Sequence, residues 1–284
     1  MFYLDYLFKN LVLTIQLILK GEWGRVYEAI HARLYRRFHW LRFEVATRWL
    51  AGGRPRVTDP GLAVVTDHPV AFSSPDYVAP FGTKYNNSTN RKFVTLLDQR
   101  VRQDFKLDHP AYMDPGCSGG QLVADFTTLG WLALGLEGSD YSLKHGRANW
   151  ASLGGRNLFT CDITKPFQVR QKGQDLRCHL ITAWEVLEHI HPDDLDAIFR
   201  NIRHHLAEGG FFIASTSSHT SVVDGVELHQ TRMTNSEWKA YIARCFPDLE
   251  VVDLGLRIYQ YVRFDFGEPS HLVYRKKARA TSAA

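Results

Sequence analysis

The sequence predicts an α/β fold, a doubly wound and mostly parallel sheet preceded by an N-terminal helical extension. Three observations carry that prediction. From residue 111 onward, short apolar runs alternate with helical segments, the pattern of strands buried on both faces of a parallel sheet. A glycine-rich loop, Asp114-Pro-Gly-Cys-Ser-Gly-Gly120, separates the first of those strands from the next helix. Further on, PDDLDAIFRNIRHHLAEGG (192–210) sets Leu195, Ile198, Phe199, Ile202 and Leu206 on one helical face, with a glycine pair at its end.

The chain opens with FYLDYLFKNLVLTIQLIL (2–19). An acidic residue comes early and GEWGR follows, the reverse of a secretory leader's order. Asp5, Lys9, Asn10 and Gln16 interrupt any membrane span. On a helix, Asp5, Lys9, Gln16 and Lys20 fall within roughly 60° of one another, a narrow polar stripe on an apolar cylinder. A second helical pattern covers 22–50, with Val26, Ile30, Leu34, Phe38, Leu41 and Val45 apolar and Arg33, Arg36, Arg37 and Arg42 between them. Two readings stay open for residues 1–50. They cap the main domain or pair two copies of it, or they make a peripheral contact with a cytoplasmic membrane surface.

The segment AGGRPRVTDPG (51–61) marks a boundary. Residues 57–109 read as an irregular connection and one helix, starting near Asn90 with Ser88 or Thr89 as its cap. Just before it, Thr83, Lys84 and Tyr85 are either a lid over a ligand or a plain loop. The main domain, 110–284, then reads AYMD as strand, QLVADFTTLG as helix and WLALGLE as strand. YSLKHGRANWA follows as helix, NLFTCD and CHLITAWEV as strands, and 192–210 as helix. FFIASTS is a strand, SEWKAYIARCF a helix, and LEVVDLG and HLVYRKK are strands. An insertion at 217–233 follows the fifth strand, where an acceptor site belongs.

Composition narrows the function. Residues 1–56 carry ten Lys/Arg against four Asp/Glu, and the remainder of the 284-residue chain has a net charge of −2. A near-neutral main domain is not expected to read nucleic acid. The four cysteines, Cys117, Cys161, Cys178 and Cys245, are widely spaced and form no Cys-x-x-Cys pair, so free thiols in a reducing cytoplasm are expected.

The informative residues stand where strands end, which is where open α/β sheets bind ligands. The glycine loop lets backbone approach a ligand closely. Glu137, in Gly135-Leu-Glu137-Gly138-Ser139, ends the second strand, and a carboxylate there can accept from both hydroxyls of a ribose. Asp162 ends the third strand and can accept from the amine of adenine. Trp184-Glu185-Val-Leu-Glu188-His189-Ile190 follows the fourth strand.

Together these segments resemble the class I S-adenosylmethionine-dependent methyltransferases over roughly residues 90–275, and the fold implied is the Rossmann-like methyltransferase sheet. DPGCSGG resembles the family's D-x-G-x-G-x-G loop with Ser118 at the middle glycine. WEVLEHI resembles a segment of the small-molecule and sugar O-methyltransferase branch. The resemblance implies S-adenosyl-L-methionine as cofactor, bound by Asp114, Gly116, Ser118, Gly120, Glu137, Gly138, Ser139, Asp162, Ile163 and Glu185. Gly116 and Gly120 approach its methionine part, Glu137 its ribose, and Asp162 with Ile163 its adenine. The acceptor implied is a hydroxyl of a small molecule, or of a sugar in a glycan or lipid-linked precursor.

Methyl transfer to oxygen needs alignment and a route for the hydroxyl proton. His229 is the first candidate base and His189 the second. The insertion also holds His219, Asp224 and Glu227, and His191 reads as structural. If the E-x-x-E-H segment is helical, Glu185, Glu188 and His189 share one side and could hold Mg²⁺. The alternative is that Glu185 and His189 line the cofactor pocket while Glu188 makes a structural hydrogen bond. A non-catalytic scaffold of the same fold, or an enzyme acting on protein or RNA, are the rival functions.

Overall fold

The computed structural model describes residues 59–89, 91–254, 264–265 and 268–278, all within the unit Gly53–Ala284. The two predicted helices of residues 1–56, with the membrane and dimer readings attached to them, lie outside the described residues. Among the described residues no helix is long and apolar enough to cross a membrane.

A seven-stranded sheet organises this unit. Its strands are β1 (Ala111–Pro115), β2 (Leu132–Glu137), β3 (Leu158–Thr160), β4 (Cys178–Trp184), β5 (Leu206–Ser215), β6 (Leu249–Val251) and β7 (His271–Lys276). They lie in the order β6-β7-β5-β4-β1-β2-β3. Strands β1 to β5 are parallel, and β7 runs antiparallel between β5 and β6. Strand order reverses between β1 and β4, so right-handed crossovers on either side place helices on opposite faces. Every residue of β1 and β2 is buried, as a doubly covered parallel sheet requires.

Four helices support the sheet: α1 (Arg91–Phe105), α2 (Gln121–Thr128), α3 (Leu195–His205) and α4 (Asn235–Cys245). Phe93, Val94, Leu97 and Val101 bury one face of α1, and Phe93 meets Trp184 of β4 edge-on at 5.0 Å. Asp98 on the same helix accepts from Trp131 Nε1 and Arg102 Nε, both at 2.7 Å. The caps proposed for α1 bond elsewhere: the Thr89 hydroxyl to Asp125, the Ser88 hydroxyl to Asn86. A capping box of Thr234 and Glu237 starts α4. The described cysteines are all free, and three of the four are buried.

Three local expectations need correction. The helix 192–210 is shorter: Pro192–Asp194 forms a 3₁₀ turn, α3 ends at His205, and the glycine pair lies inside β5. Gly209, at φ +74°, sits beside the irregular β4–β5 register at Cys178 and Leu180. The stretch 141–151 is two one-turn helices, Tyr141–Lys144 and Trp150–Leu153, separated by Gly146 and Ala148 at positive φ. The connection before α1 holds a strand, Leu62–Val65, paired antiparallel with Gln168–Gln171, which in turn pairs with Gln174–Asp175. Lys172 and Gly173, both at positive φ, turn that hairpin. Its pairing partner lies about a hundred residues downstream of Leu62–Val65, so no local periodicity marks it.

Candidate active site

A cavity of about 470 Å³ opens beyond the carboxyl ends of β1 to β4. Ten predicted site residues line it: Gly116, Ser118, Glu137, Gly138, Ser139, Asp162, Ile163, Glu185, His189 and His229. Three more, Asp114, Gly120 and Glu188, do not line it.

The glycine loop shapes one side. Gly116 sits at φ +74°, and a Cβ there would lie 2.4 Å from Val186 Cγ2, so only a bare backbone fits. Gly120, at φ +77°, starts α2. Behind the loop, Asp114 accepts from Thr182 Oγ1 at 2.7 Å and so ties β1 to β4. Burial, with the nearby Glu137 charge, raises the Asp114 carboxyl to about 7.

Glu137 fixes the second side. Its Oε2 accepts from the Ser118 amide at 2.8 Å and its Oε1 from the Ser139 amide at 3.4 Å. Burial raises its carboxyl above the usual range, against those amides and the Thr83 hydroxyl, which hold it down. Asp162 is also buried; its Oδ1 accepts from the amide and hydroxyl of Thr164 at 2.9 and 2.7 Å. Its own amide donates to His68 O. Ile163 presents an apolar face beside it.

The segment after β4 is a single 3₁₀ turn, Leu187–His189, so the one-sided helical arrangement expected of Glu185, Glu188 and His189 does not form. Glu185 sits at φ +53°, a costly conformation for a side-chain-bearing residue. Its carboxylate accepts from Ser215 Oγ at 2.6 Å and its amide donates to the same oxygen at 3.1 Å. The groups that do converge are Glu188, His189 and His229, whose donor atoms lie within 4.8 Å of one another. Two imidazoles and one carboxylate do not suit Mg²⁺, which takes oxygen ligands in octahedral geometry.

His189 gains a partner that sequence reasoning missed. Its Nδ1 bonds Asp76 Oδ2 at 2.8 Å, from a segment 113 residues upstream. Burial alone would lower the His189 pKa, but the Asp76 hydrogen bond and charge, with Glu188 and Glu185 nearby, raise it overall. When Nδ1–H donates to the carboxylate, Nε2 carries the lone pair. Asp76 is held in turn: its amide donates to Ser74 Oγ in the one-turn helix Pro75–Val78.

His229 packs edge-on against His189, ring centroids 4.8 Å apart. Its Nδ1 donates to His219 O at 2.6 Å, and burial, then the neighbouring His189, lowers its pKa. Glu227 orders the insertion by accepting from the Ser221 and His229 amides. Asp224 turns a small hairpin at φ +50°, and His191 caps the 3₁₀ turn after it by accepting from the Asp193 amide.

Among the described residues, five carboxylates line the cavity, those of Asp76, Glu137, Asp162, Glu185 and Asp194, and no lysine or arginine does. That field suits a cationic ligand and opposes an anionic one.

Residues 113–212 match a family model described as a methyltransferase domain. Among solved structures, the plantazolicin methyltransferase BpumL, in complex with a triazolic desmethylPZN analogue and SAH, is similar at a TM-score of 0.50. Its identity is 12%, over 72% of this chain and 93% of that one. An S-adenosylmethionine-dependent methyltransferase from Clostridium acetobutylicum gives a TM-score of 0.49 at 16% identity, covering 71% of this chain and 98% of that one. SAM-bound CalS10, an amino pentose methyltransferase from Micromonospora echinaspora, gives 0.45 at 16% identity, over 71% and 96%. At these identities the likeness is one of fold. No curated protein sequence matches the chain.

Proposed function

We propose that this chain transfers a methyl group from S-adenosylmethionine to a hydroxyl of a small molecule or sugar. The observation that carries the reading is the Asp76–His189 pair, opening onto the same cavity as the glycine loop, Glu137 and Asp162. The matched methyltransferase domain supports it. So does the acidic lining, because S-adenosylmethionine carries a sulfonium and an ammonium against one carboxylate and is cationic overall.

When bound, the cofactor supplies a methyl group on a positively charged sulfur, ready for in-line displacement. The chain's residues then have three tasks. Glu137 and Asp162 hold the ribose and adenine, and the bare backbone at Gly116 lets the ligand come close. His189 takes the acceptor proton on Nε2, with Asp76 fixing its tautomer and stabilising the imidazolium that forms. His229 and the ordered insertion 217–233 flank the acceptor side.

The test is calorimetric titration with S-adenosylmethionine and S-adenosylhomocysteine, followed by a tritium-transfer screen over neutral sugars and small alcohols. Micromolar binding, with transfer to a hydroxyl acceptor abolished by His189→Ala, is expected. A folded protein that binds neither nucleoside refutes the reading.

A further inference from the structure

Residues 81–87, the one-turn helix Phe81–Tyr85 and the two residues after it, cross the glycine loop as a strap, and Phe81, Gly82, Thr83 and Asn86 form part of the cavity wall. The strap buries little apolar surface: Phe81 and Tyr85 are 52% and 66% exposed, and Thr83 alone of the five residues 81–85 is buried. Polar contacts hold it instead. Ser118 Oγ lies 2.9 Å from Gly82 O and 2.6 Å from Asn86 O, so one hydroxyl proton is shared between two strap carbonyls. Arg147 Nε donates to Lys84 O at 2.6 Å, and its Nη2 donates to Asn86 O. Ser142 Oγ donates to Thr83 O at 3.2 Å. The strap in turn brings the Thr83 hydroxyl to Glu137.

The loop is shaped to receive it. A Cβ on Gly119 would lie 2.4 Å from Asn87 Oδ1, so the strap rests directly on bare backbone. Ser118 sits at φ +47°, where glycine would be relaxed and serine is strained. Its backbone amide serves Glu137 and its carbonyl accepts from Trp150 Nε1, and glycine would keep both contacts. What glycine would lose is the hydroxyl, and the hydroxyl's partners are the strap.

We propose that Ser118 and Arg147 are positioning residues that latch this strap over the nucleoside site, and that unlatching limits both entry and departure of the nucleoside. The inference rests on the methyltransferase reading above. It extends that reading to a step in the cycle, the exchange of S-adenosylhomocysteine for S-adenosylmethionine.

A latch leaves a kinetic signature that a lost ligand contact does not. Releasing a gate speeds passage in both directions, so association and dissociation rise together and Kd moves less than the dissociation rate. Losing a ligand contact raises the dissociation rate and Kd equally and leaves association unchanged.

Stopped-flow measurement of S-adenosylhomocysteine binding to the full chain, by tryptophan fluorescence or a displaced fluorescent analogue, separates these cases. For Ser118→Gly both rate constants are expected to rise roughly three- to tenfold, the worth of about one hydrogen bond. Thermal stability should be unchanged or higher, because the left-handed strain is relieved. Arg147→Ala is expected to accelerate both rates further, and Arg147→Lys to restore part of the effect. Both rates within twofold of wild type in Ser118→Gly and Arg147→Ala, with both variants folded, would overturn the latch. So would a rise confined to dissociation. Wild-type protein that binds no nucleoside would instead refute the methyltransferase reading beneath it.

Discussion

Glu137→Gln tests the proposed ribose contact with minimal change of shape. In the folded chain each carboxylate oxygen already accepts one backbone amide, from Ser118 at 2.8 Å and Ser139 at 3.4 Å. Glutamine keeps one acceptor oxygen and turns a donor toward the other amide. The better geometry goes to Ser118, so the long Ser139 contact is the one lost, at about 1 kcal/mol, the low end for an unsatisfied buried donor. For a unit of this size that lowers Tm by roughly 2–4 °C. The ligand loses more. A carboxylate holding two ribose hydroxyls gives way to a neutral group able to accept one, a loss of about 2–4 kcal/mol, or roughly 30- to 1,000-fold in Kd. Calorimetry with S-adenosylhomocysteine, alongside a melting curve, reads both numbers. A Kd within threefold of wild type would mean that Glu137 does not carry the ribose, and that its burial serves the loop alone.

Other consequences are equally open to measurement. Asp76→Asn removes the charge that holds the His189 pKa up and leaves burial, which lowers it, so the His189 titration followed by imidazole NMR should move to lower pH. A raised folded-state pKa contributes stability that is complete below the unfolded value of 6.5 and fades as pH rises through the folded value. The stability gap between wild type and Asp76→Asn should therefore narrow above pH 6.5, and a gap constant with pH would contradict the pairing. Gly116→Ala sets a Cβ 2.4 Å from Val186 Cγ2 at φ +74°, and a loss of about 1–3 kcal/mol in chemical denaturation is expected together with loss of nucleoside binding. Asp98→Ala strips the buried partner of both Trp131 Nε1 and Arg102, and should cost about 3–5 kcal/mol without changing nucleoside affinity in the surviving folded fraction.

Apart from His229, in the insertion, the predicted residues that line the cavity share one property: each follows or ends a strand of the central sheet. Glu137, Asp162 and Glu185 terminate or directly follow apolar runs, and the glycine loop announces its own geometry through Gly116 and Gly120 at positive φ. Asp76 could not be found that way. It lies in 67–89, a stretch without periodicity, and it matters because the fold carries it to His189 across 113 residues. Arg147 is equally hidden, in what the sequence presents as one helix and the structure shows as the junction between two one-turn helices. Glu185 and Glu188 misled for a different reason. Helical spacing would align them, but Glu185 adopts a left-handed backbone and the turn that follows is 3₁₀, so the two residues do not share one face of a helix. The glycine pair at 209–210 looked like a helix stop because such pairs often are; here it accommodates the irregular start of β5.

The place of β7 in the sheet bears on how the chain is born. β5 pairs with β4 on one side and with β7 on the other, from Phe211 opposite Arg275 to Ser215 opposite His271. Of the seven strands β7 is the last to emerge from a ribosome, after β6, which it separates from β5. Phe212, Ile213 and Ala214 are buried in the finished fold, yet β5 has an unpaired edge for as long as residues 216–270 take to be made, roughly 3–11 s at cellular elongation rates. During that interval the nascent chain exposes an apolar strand edge, the kind that recruits other strands. Its yield in a cell therefore depends on how quickly translation crosses those residues and on what shields the edge meanwhile.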